Sequence, residues 1–268
     1  MIALLAGCMI VGLLAPVSSA AAPALPSSMA ALGDSITRAY DVCCSYRDHL
    51  GQSWSTGGAW YDGISSHYER IKRHSNAITG HAYNNAVTGA KMSAAARQAS
   101  AAAAQHAAYV TILLGANDLC TSSPSTMTST ETFRAQFSQA MAILKQQLPR
   151  ARIFVSSLPD IYQLWKVLRT NRVARTVWAT VGICPSMLGA TRTEAERQQV
   201  VAREAAFNRI LRDICHQYGA NCRWDGAATY NYKFSASQVS VLDFFHPDLD
   251  GQAALASVTW AASWWPTT

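Results

Sequence analysis

The residues most able to do chemistry in this chain are a serine near its start and an aspartate–histidine pair near its end. Ser35 follows a short apolar segment, whereas Asp243 and His246 are three residues apart. A serine hydroxyl becomes a good nucleophile when an imidazole takes its proton and a carboxylate orients that imidazole. One turn of chain can bring Asp243 onto His246. The pattern therefore predicts a catalytic triad in which Ser35 attacks an ester carbonyl.

Two further residues could stabilise the negative charge that this attack creates. Gly89 and Asn117 each follow a predicted strand, as Ser35 does. A glycine presents its backbone N–H without a side chain in the way, and an asparagine amide is a neutral donor. The carboxyl ends of parallel strands meet at one edge of a sheet. We therefore expect an oxyanion hole formed by the Ser35 and Gly89 N–H groups and the Asn117 side chain.

The elements that must position these residues alternate between strand and helix. Short apolar runs predict strands over residues 29–33, 81–87, 109–114, 152–158 and 221–225. Helical spacing predicts helices over residues 57–74, 92–106, 128–148, 191–218 and 248–264. Two of these helices carry predicted capping boxes, Thr128 with Glu131 and Thr191 with Glu194. The alternation predicts an α/β fold with a central parallel sheet covered by helices on both faces.

Four short blocks together resemble the SGNH, or GDSL, hydrolase superfamily. In chain order they are Gly33-Asp34-Ser35-Ile36, Asn84-Asn85-Ala86-Val87-Thr88-Gly89, Gly115-Ala116-Asn117-Asp118 and Asp243-Phe244-Phe245-His246. Ile36 stands where leucine is usual, and Ala86 stands where glycine is common. Neither departure touches a residue that would act in catalysis.

The resemblance implies a three-layer α/β/α flavodoxin-like domain over residues 23–268 that cleaves carboxylic esters. It assigns Ser35 as nucleophile, His246 and Asp243 as the rest of the triad, and Ser35, Gly89 and Asn117 as oxyanion donors. No metal or organic cofactor is implied. Residues 115–120 and 157–160 are also similar to secreted phospholipase-B-like members.

Three interpretations of the substrate remain open from the sequence. A lipid ester is the first choice, which makes the protein a lipase, esterase or phospholipase. A carbohydrate esterase that removes acetyl groups from a polysaccharide would use the same catalytic centre. The third interpretation is a lipid- or glycan-binding protein without activity, and the presence of all five functional residues argues against it. No G-x-S-x-G motif and no glycine-rich phosphate loop occurs in the sequence.

The first 22 residues have the character of an export signal. They contain no charged residue, and an apolar run is followed by small residues where a peptidase could cut. We therefore predict a signal peptide over residues 1–22 and secretion of the mature chain. Residues 5–8 resemble a bacterial lipobox, which would anchor the chain through Cys8. The hydrophobic residues after Cys8 favour the secreted form.

The cysteines are consistent with export. Removing Cys8 from the seven cysteines leaves an even number, as expected for disulfides in an exported protein. Cys215 pairs most readily with Cys222, which is close in sequence, and Cys120 with Cys184 is the next choice. The adjacent residues Cys43 and Cys44 could bond to each other only with strain. No cysteine or histidine spacing indicates a zinc site.

The charge of the chain is also informative about partners. Its formal net charge is +6, which draws an exported protein towards anionic membrane or envelope surfaces. The basic residues form no concentrated run, so we expect no nucleic-acid partner. We expect a monomer that binds an ester substrate.

Residues 161–188 mix large apolar side chains with lysine and arginine. One interpretation is a lid or wall for an acyl chain, with the arginines directed at an anionic head group. The other is an amphipathic helix that packs its apolar face on the core.

Overall fold

The computed structural model describes residues 22–267. The predicted signal segment up to residue 21, including Cys8, lies outside the described residues. Five strands form one parallel sheet in the order β2-β1-β3-β4-β5. They are β1 (Met29–Gly33), β2 (Ala82–Asn84), β3 (Tyr109–Leu113), β4 (Arg152–Val155) and β5 (Cys222–Trp224). The predicted parallel α/β sheet is confirmed, and each strand lies within its predicted range.

Helices cover both faces of this sheet. They are α1 (His67–His74), α2 (Ala95–Ala104), α3 (Ala116–Leu119), α4 (Thr130–Gln147), α5 (Ile161–Leu168), α6 (Arg172–Val181), α7 (Pro185–Leu188), α8 (Glu194–Tyr218), α9 (Ala228–Asn231) and α10 (Leu249–Ala261). On one face, buried side chains of α2, α4 and α8 form the larger core. On the other face, Ile71 of α1 and Trp260 of α10 pack against Met29, Tyr109 and Phe154 of the sheet. The fold is therefore the expected three-layer α/β/α arrangement.

Both predicted capping boxes were placed at the wrong residues. Helix α4 is capped by Ser129, whose hydroxyl accepts the Thr132 N–H at 3.1 Å, and not by Thr128 with Glu131. The Thr128 hydroxyl instead donates to the Asp118 carboxylate at 2.7 Å. Because the Thr128 side chain makes a tertiary hydrogen bond, Ser129 caps the helix, one residue after the predicted cap.

Helix α8 shows the same kind of shift. Its capping box is Thr193 with Glu196, and not Thr191 with Glu194. The backbone before it is held in a turn, in which Gly189 accepts from the Arg192 N–H at 3.1 Å. The helix ends at Gly219, as the sequence predicts.

Only the second half of the helix predicted over residues 57–74 is helical. Ser66 and Glu69 form a capping box that starts α1. Upstream of it, Tyr61 and Gly63 have positive φ values of 61° and 79°, which a helix cannot contain. The apolar spacing over this stretch reflects burial of Ile64 in a loop.

Residues 161–188 form three short helices, α5 to α7, in place of the single amphipathic helix of the second interpretation. Asp160 and Asn171 cap the first two, and Gly182 in the left-handed region ends the second. Leu168 and Trp178 are buried in the larger core. Apolar side chains of this segment therefore pack on the core, as the second interpretation expects, but from three helices.

No helix among residues 22–267 is both long enough and apolar enough to cross a membrane.

Two disulfides join Cys120 to Cys184 and Cys215 to Cys222, the pairs that the sequence predicts. Cys43 and Cys44 are not disulfide-bonded to each other.

The two disulfides should differ in their contribution to stability. The pairs are separated by 64 and 7 residues. Because a longer closed loop restricts the unfolded chain more, removing the Cys120–Cys184 bond should lower the free energy of unfolding by about 4 kcal/mol, against about 2.5 kcal/mol for the other. Urea unfolding of the two double alanine variants would measure this difference. Equal losses would contradict the loop-entropy explanation.

Candidate active site

The sheet order brings the predicted site residues to one edge. Strand β1 lies between β2 and β3, so the chain leaving β1 at Ser35 is flanked by the segments that follow its two neighbours. Gly89 lies in the segment after β2, and Asn117 lies in α3, directly after β3. Gly33, at the end of β1, packs so closely that an added Cβ would lie 2.8 Å from the Leu113 carbonyl oxygen. This close approach explains the glycine before Asp34-Ser35.

Ser35, His246 and Asp243 form a continuous hydrogen-bonded chain. The Ser35 Oγ lies 2.8 Å from His246 Nε2, and the Asp243 Oδ2 accepts from His246 Nδ1. The Asp243 Oδ1 accepts the N–H groups of Phe245 and His246 at 2.9 and 3.1 Å. Burial raises the pKa of Asp243, but the bond from His246 and these backbone bonds outweigh it, so the pKa lies below its usual value. The carboxyl is therefore an anion that faces the imidazole.

The loop that carries Asp243 and His246 is held from two sides. The His246 carbonyl accepts the Ser240 N–H at 2.9 Å. Phe244 has a positive φ of 56°, which is unfavourable for a bulky side chain, and its carbonyl accepts from Trp178 Nε1 at 3.0 Å. Helix α6 thus fixes the turn that aims His246 at Ser35.

Three groups are candidate donors for the predicted oxyanion hole. Among residues 22–267, the backbone N–H groups of Ser35 and Gly89 have no acceptor. Gly89 has a φ of 79°, and an added Cβ there would meet only open space. The Asn117 Nδ2 donates to the Ala90 carbonyl at 3.0 Å, which leaves its second hydrogen for a ligand.

Asp118 fastens the segment after β2 to the segment after β3. Its buried carboxylate accepts the Met92 N–H at 2.7 Å and the Thr128 hydroxyl at 2.7 Å. Burial raises the pKa of Asp118, and these two bonds oppose the shift. The aspartate of the third block therefore supports the position of Asn117.

A second network reaches the residue before Gly89. Asp48 accepts from the Thr88 hydroxyl at 2.5 Å and from Arg38 Nε at 2.5 Å. Arg38 also donates to the Ala86 carbonyl at 2.8 Å. The segment after Ser35 and the segment that contains Gly89 are thus joined through one ion pair.

Asp41 is a buried carboxyl beside the triad. It lies within 4.8 Å of the polar atoms of Asp243 and His246, and its Oδ1 is buried without a hydrogen-bond partner. Burial, followed by the charge of Asp243, raises the pKa of Asp41 to about 6. Nothing in the sequence distinguishes this residue from an ordinary turn aspartate.

Asp34 is fully buried directly before Ser35. One oxygen accepts the Ile36 N–H at 3.0 Å, and the other has no partner. Burial raises the pKa of Asp34 from 3.8 to about 7.

We expect Asp34 to make the stability of the fold depend on pH. Between about pH 4 and about pH 7 the folded state keeps a proton that the unfolded chain has released, so stability falls as the pH rises through this window. A shift of this size corresponds to roughly 4 kcal/mol. Asp34→Asn should not show this loss, because its amide cannot ionise. Urea unfolding at several pH values would measure it, with Asp213→Asn on the surface as control. Parallel curves for Asp34→Asn and wild type would contradict the prediction.

Two clusters have ligand atoms close enough to hold a metal ion. One is Asp41, Asp243 and His246, and the other is Cys43, Cys44 and His49. In the first, both ring nitrogens of His246 already contact protein partners. We assign a metal to neither cluster.

An apolar pocket lies beside the triad. Ile36 and Phe245, the neighbours of Ser35 and His246 in sequence, line it. Ile161 and Leu164 of α5 also line it. The remaining lining residues are Ala116, Pro159, Asp160, Phe234, Gln238, Val239 and Pro247. Of residues 161–188, Ile161 and Leu164 line this pocket, and all three helices α5 to α7 also contribute residues to the larger core.

The parallel α/β fold and this cluster of residues together indicate the class of protein, which is a hydrolase. The chain belongs to the GDSL-like lipase/acylhydrolase family, whose sequence model matches residues 29–258. It is therefore an ester hydrolase, as the sequence blocks indicate.

Individual relatives are more distant. The chain is 25% identical over 220 residues to the membrane-associated phospholipase B1 of Rattus norvegicus, an alignment that covers 69% of this chain and 15% of that protein. It thus spans about a seventh of the length of this curated relative.

Solved structures share the fold. A structure described as a GDSL-like lipase from Parabacteroides merdae is 17% identical, with a TM-score of 0.52 over 90% of this chain and 98% of that one. A carbohydrate esterase family 2 enzyme of Corynascus thermopiles, with its carbohydrate-binding domain, is 15% identical, with a TM-score of 0.50 over 92% of this chain and 68% of that one. Lipases and carbohydrate esterases thus share this fold, so the fold does not identify the substrate.

Proposed function

We propose that this chain is a secreted lipid esterase that works through an acyl-enzyme on Ser35. The observation that carries the choice of substrate is the apolar pocket, which begins at the sequence neighbours of Ser35 and His246. An acyl chain bound there would remove its apolar surface from water, whereas an acetyl group has little apolar surface to bury.

The reaction has two steps. The Ser35 Oγ attacks the ester carbonyl carbon while its proton passes to His246 Nε2, and Asp243 stabilises the imidazolium that results. The leaving alcohol takes this proton as the carbonyl–oxygen bond breaks, which leaves the acyl group on Ser35. A water molecule then attacks the acyl-enzyme with the same help from His246, releasing the carboxylic acid and restoring Ser35.

The donors around Ser35 support the assignment of the oxyanion hole. Two backbone N–H groups without acceptors lower the stability of the folded state unless a ligand or water accepts their hydrogen bonds. The Asp118 and Asp48 networks hold the segments that carry Asn117 and Gly89 before substrate arrives. This preorganisation is what makes hydrogen-bond donors effective in the transition state.

Secretion has two supports. Two disulfides are typical of proteins that mature in an oxidising compartment. The sequence of residues 1–22 has the composition of an export signal.

Hydrolysis of three substrates by purified mature protein tests the proposal. They are a short-chain aryl ester, a long-chain phosphatidylcholine and an acetylated xylan, each run beside Ser35→Ala. Serine-dependent release of fatty acid from the phospholipid would support a lipid esterase. Serine-dependent release of acetate alone would make the protein a carbohydrate esterase. If the protein hydrolyses none of the three and a fluorophosphonate fails to label Ser35, the proposal is wrong. The interpretation as a lipid- or glycan-binding protein without activity would then be favoured.

Asn117→Ala should lower kcat by about 10²–10³-fold, because it removes one oxyanion donor. The KM for a short aryl ester should change little, since the ground-state carbonyl carries little charge. Steady-state kinetics would separate the two parameters. A near-normal kcat would remove Asn117 from the site.

A further inference from the structure

An apolar rim borders one side of the triad. We define the rim as Tyr46, Leu50, Val87 and Val241, whose side chains are 68%, 42%, 43% and 76% exposed. They are four of the eight large hydrophobic side chains that are exposed among residues 22–267, and the others lie on α6 and in the loop before α1. Single exposed valines need no explanation, but a group beside a reactive serine does.

Hydrogen bonds place the rim around the site. The Tyr46 hydroxyl donates to the Leu242 carbonyl at 3.0 Å, which brings Tyr46 next to Val241 in the loop of Asp243 and His246. At the other end of the same segment, Asp48 bonds to Thr88 and so approaches Val87. Residues 46–50 therefore connect the loop of the triad to the loop of Gly89.

The charge around the rim is positive. Arg47, next to Tyr46 in the chain, and Lys91, two residues after Gly89, are exposed. The neighbouring carboxyls of Asp41 and Asp243 are buried, and that of Asp48 is paired with Arg38. Free cations together with exposed apolar side chains match the interface of an anionic bilayer, where phosphates lie above the acyl chains.

We propose that the rim is the surface by which the enzyme docks on an anionic phospholipid bilayer. This inference rests on the proposed lipid esterase activity, because a bilayer substrate must pass from the aggregate into the pocket beside Ser35. Val241, Leu50 and Val87 enter the region between head groups and acyl chains, and the Tyr46 ring lies at the head-group level. Arg47 and Lys91 contact lipid phosphates. Docking in this orientation places Ser35 over the ester bonds.

A bilayer fits the rim better than a protein partner does. The four side chains lie on three separate segments, namely residues 46–50, the segment after β2 and the loop of Asp243, whereas protein interfaces centre on a closely packed core that excludes water. The pocket beside the triad is lined mainly by apolar residues and is of the kind that accepts a hydrocarbon chain.

Vesicle binding by a matched pair of variants tests the proposal. The Ser35→Ala background prevents hydrolysis during the measurement. The rim variant is Val241→Ser with Arg47→Ser, and its control is Val181→Ser with Arg175→Ser on α6. Val181 is 69% exposed and Arg175 is also exposed, so the two pairs are alike in composition and exposure. None of the four side chains is buried, so all variants should fold.

Sedimentation with vesicles of phosphatidylcholine and phosphatidylglycerol should show binding about tenfold to thirtyfold weaker for the rim variant than for the control, from the loss of one cation and one apolar side chain. With Ser35 restored, turnover of a soluble short-chain ester should be equal in both. Equal vesicle affinities, a greater loss in the α6 variant, or no binding by the Ser35→Ala protein would each overturn the proposal. Rim-dependent binding by a protein that hydrolyses no phospholipid would support the rim and refute the lipid esterase.

Discussion

Replacing Ser35 with alanine should lower kcat for a short-chain aryl ester by about 10⁴–10⁶-fold. The Ser35 Oγ is the only nucleophile within hydrogen-bond distance of His246 Nε2 among residues 22–267. Its loss removes the acyl-enzyme path and leaves only binding and the oxyanion donors to assist attack by water. Steady-state hydrolysis and labelling by a fluorophosphonate would measure the change.

The variant must be shown to be folded for this result to count. The melting temperature should stay close to that of the wild type, because the substitution removes one oxygen from a side chain at the edge of the sheet. Ser138→Ala, at an exposed serine on α4, is the matched control and should keep full activity and labelling. If Ser35→Ala retained activity within tenfold of wild type, the nucleophile would have to be sought elsewhere.

The sequence predicts which candidate site residues lie close together because parallel sheets have a simple geometry. Each of Ser35, Gly89 and Asn117 follows a strand, and the structure brings these three segments to one edge. The contact of Asp243 with His246 is local, since a spacing of three residues needs only one turn. Strand–helix alternation and this local spacing were enough to predict that these residues lie together.

The supporting residues could not be predicted, because their contacts join distant segments. Trp178 donates to the carbonyl of Phe244, and the two are 66 residues apart. Asp48 and Thr88 are 40 residues apart. A tryptophan in a helix is usually a core residue, and Trp178 is indeed buried, so no local pattern reveals its polar contact.

The errors in the predicted helix starts have a related cause. Serine and threonine occupy neighbouring positions before α4 and α8, and local sequence favours several of them about equally as caps. The choice falls to tertiary contacts, such as the bond between Thr128 and Asp118. The same applies to residues 57–66, where apolar spacing resembles a helix but the backbone forms a loop in which Ile64 is buried and Trp60 and Tyr61 are exposed.

The turn that carries Asp243 and His246 depends both on local sequence and on tertiary contacts. The spacing brings Asp243 to His246, but Phe244 between them has a positive φ of 56°. Such a conformation persists only when surrounding contacts maintain it, and here Asp243 Oδ1 and Trp178 do so. Asp243 therefore has two separable functions, one through each oxygen.

Asp243→Asn should separate these functions and lower kcat by about 10⁴-fold. The amide oxygen can still accept the N–H groups of Phe245 and His246, so the turn and the melting temperature should be preserved. The amide nitrogen then faces His246 Nδ1 as a donor, in place of the Oδ2 acceptor. The imidazole must present a lone pair at Nδ1 and a hydrogen at Nε2, which cannot accept the proton of Ser35. Steady-state kinetics with a short aryl ester would measure the loss.

Asp243→Ala provides the comparison that distinguishes orientation from folding. It removes both oxygens, so it should lose activity and also lower the melting temperature by freeing the turn at Phe244. Asp243→Asn should match it in activity but resemble the wild type in stability. If Asp243→Asn stayed within tenfold of wild-type kcat, His246 would work without its carboxylate, and the mechanism would reduce to a serine–histidine pair. Equal destabilisation by both variants would instead show that the backbone bonds of Oδ1 do not hold the turn.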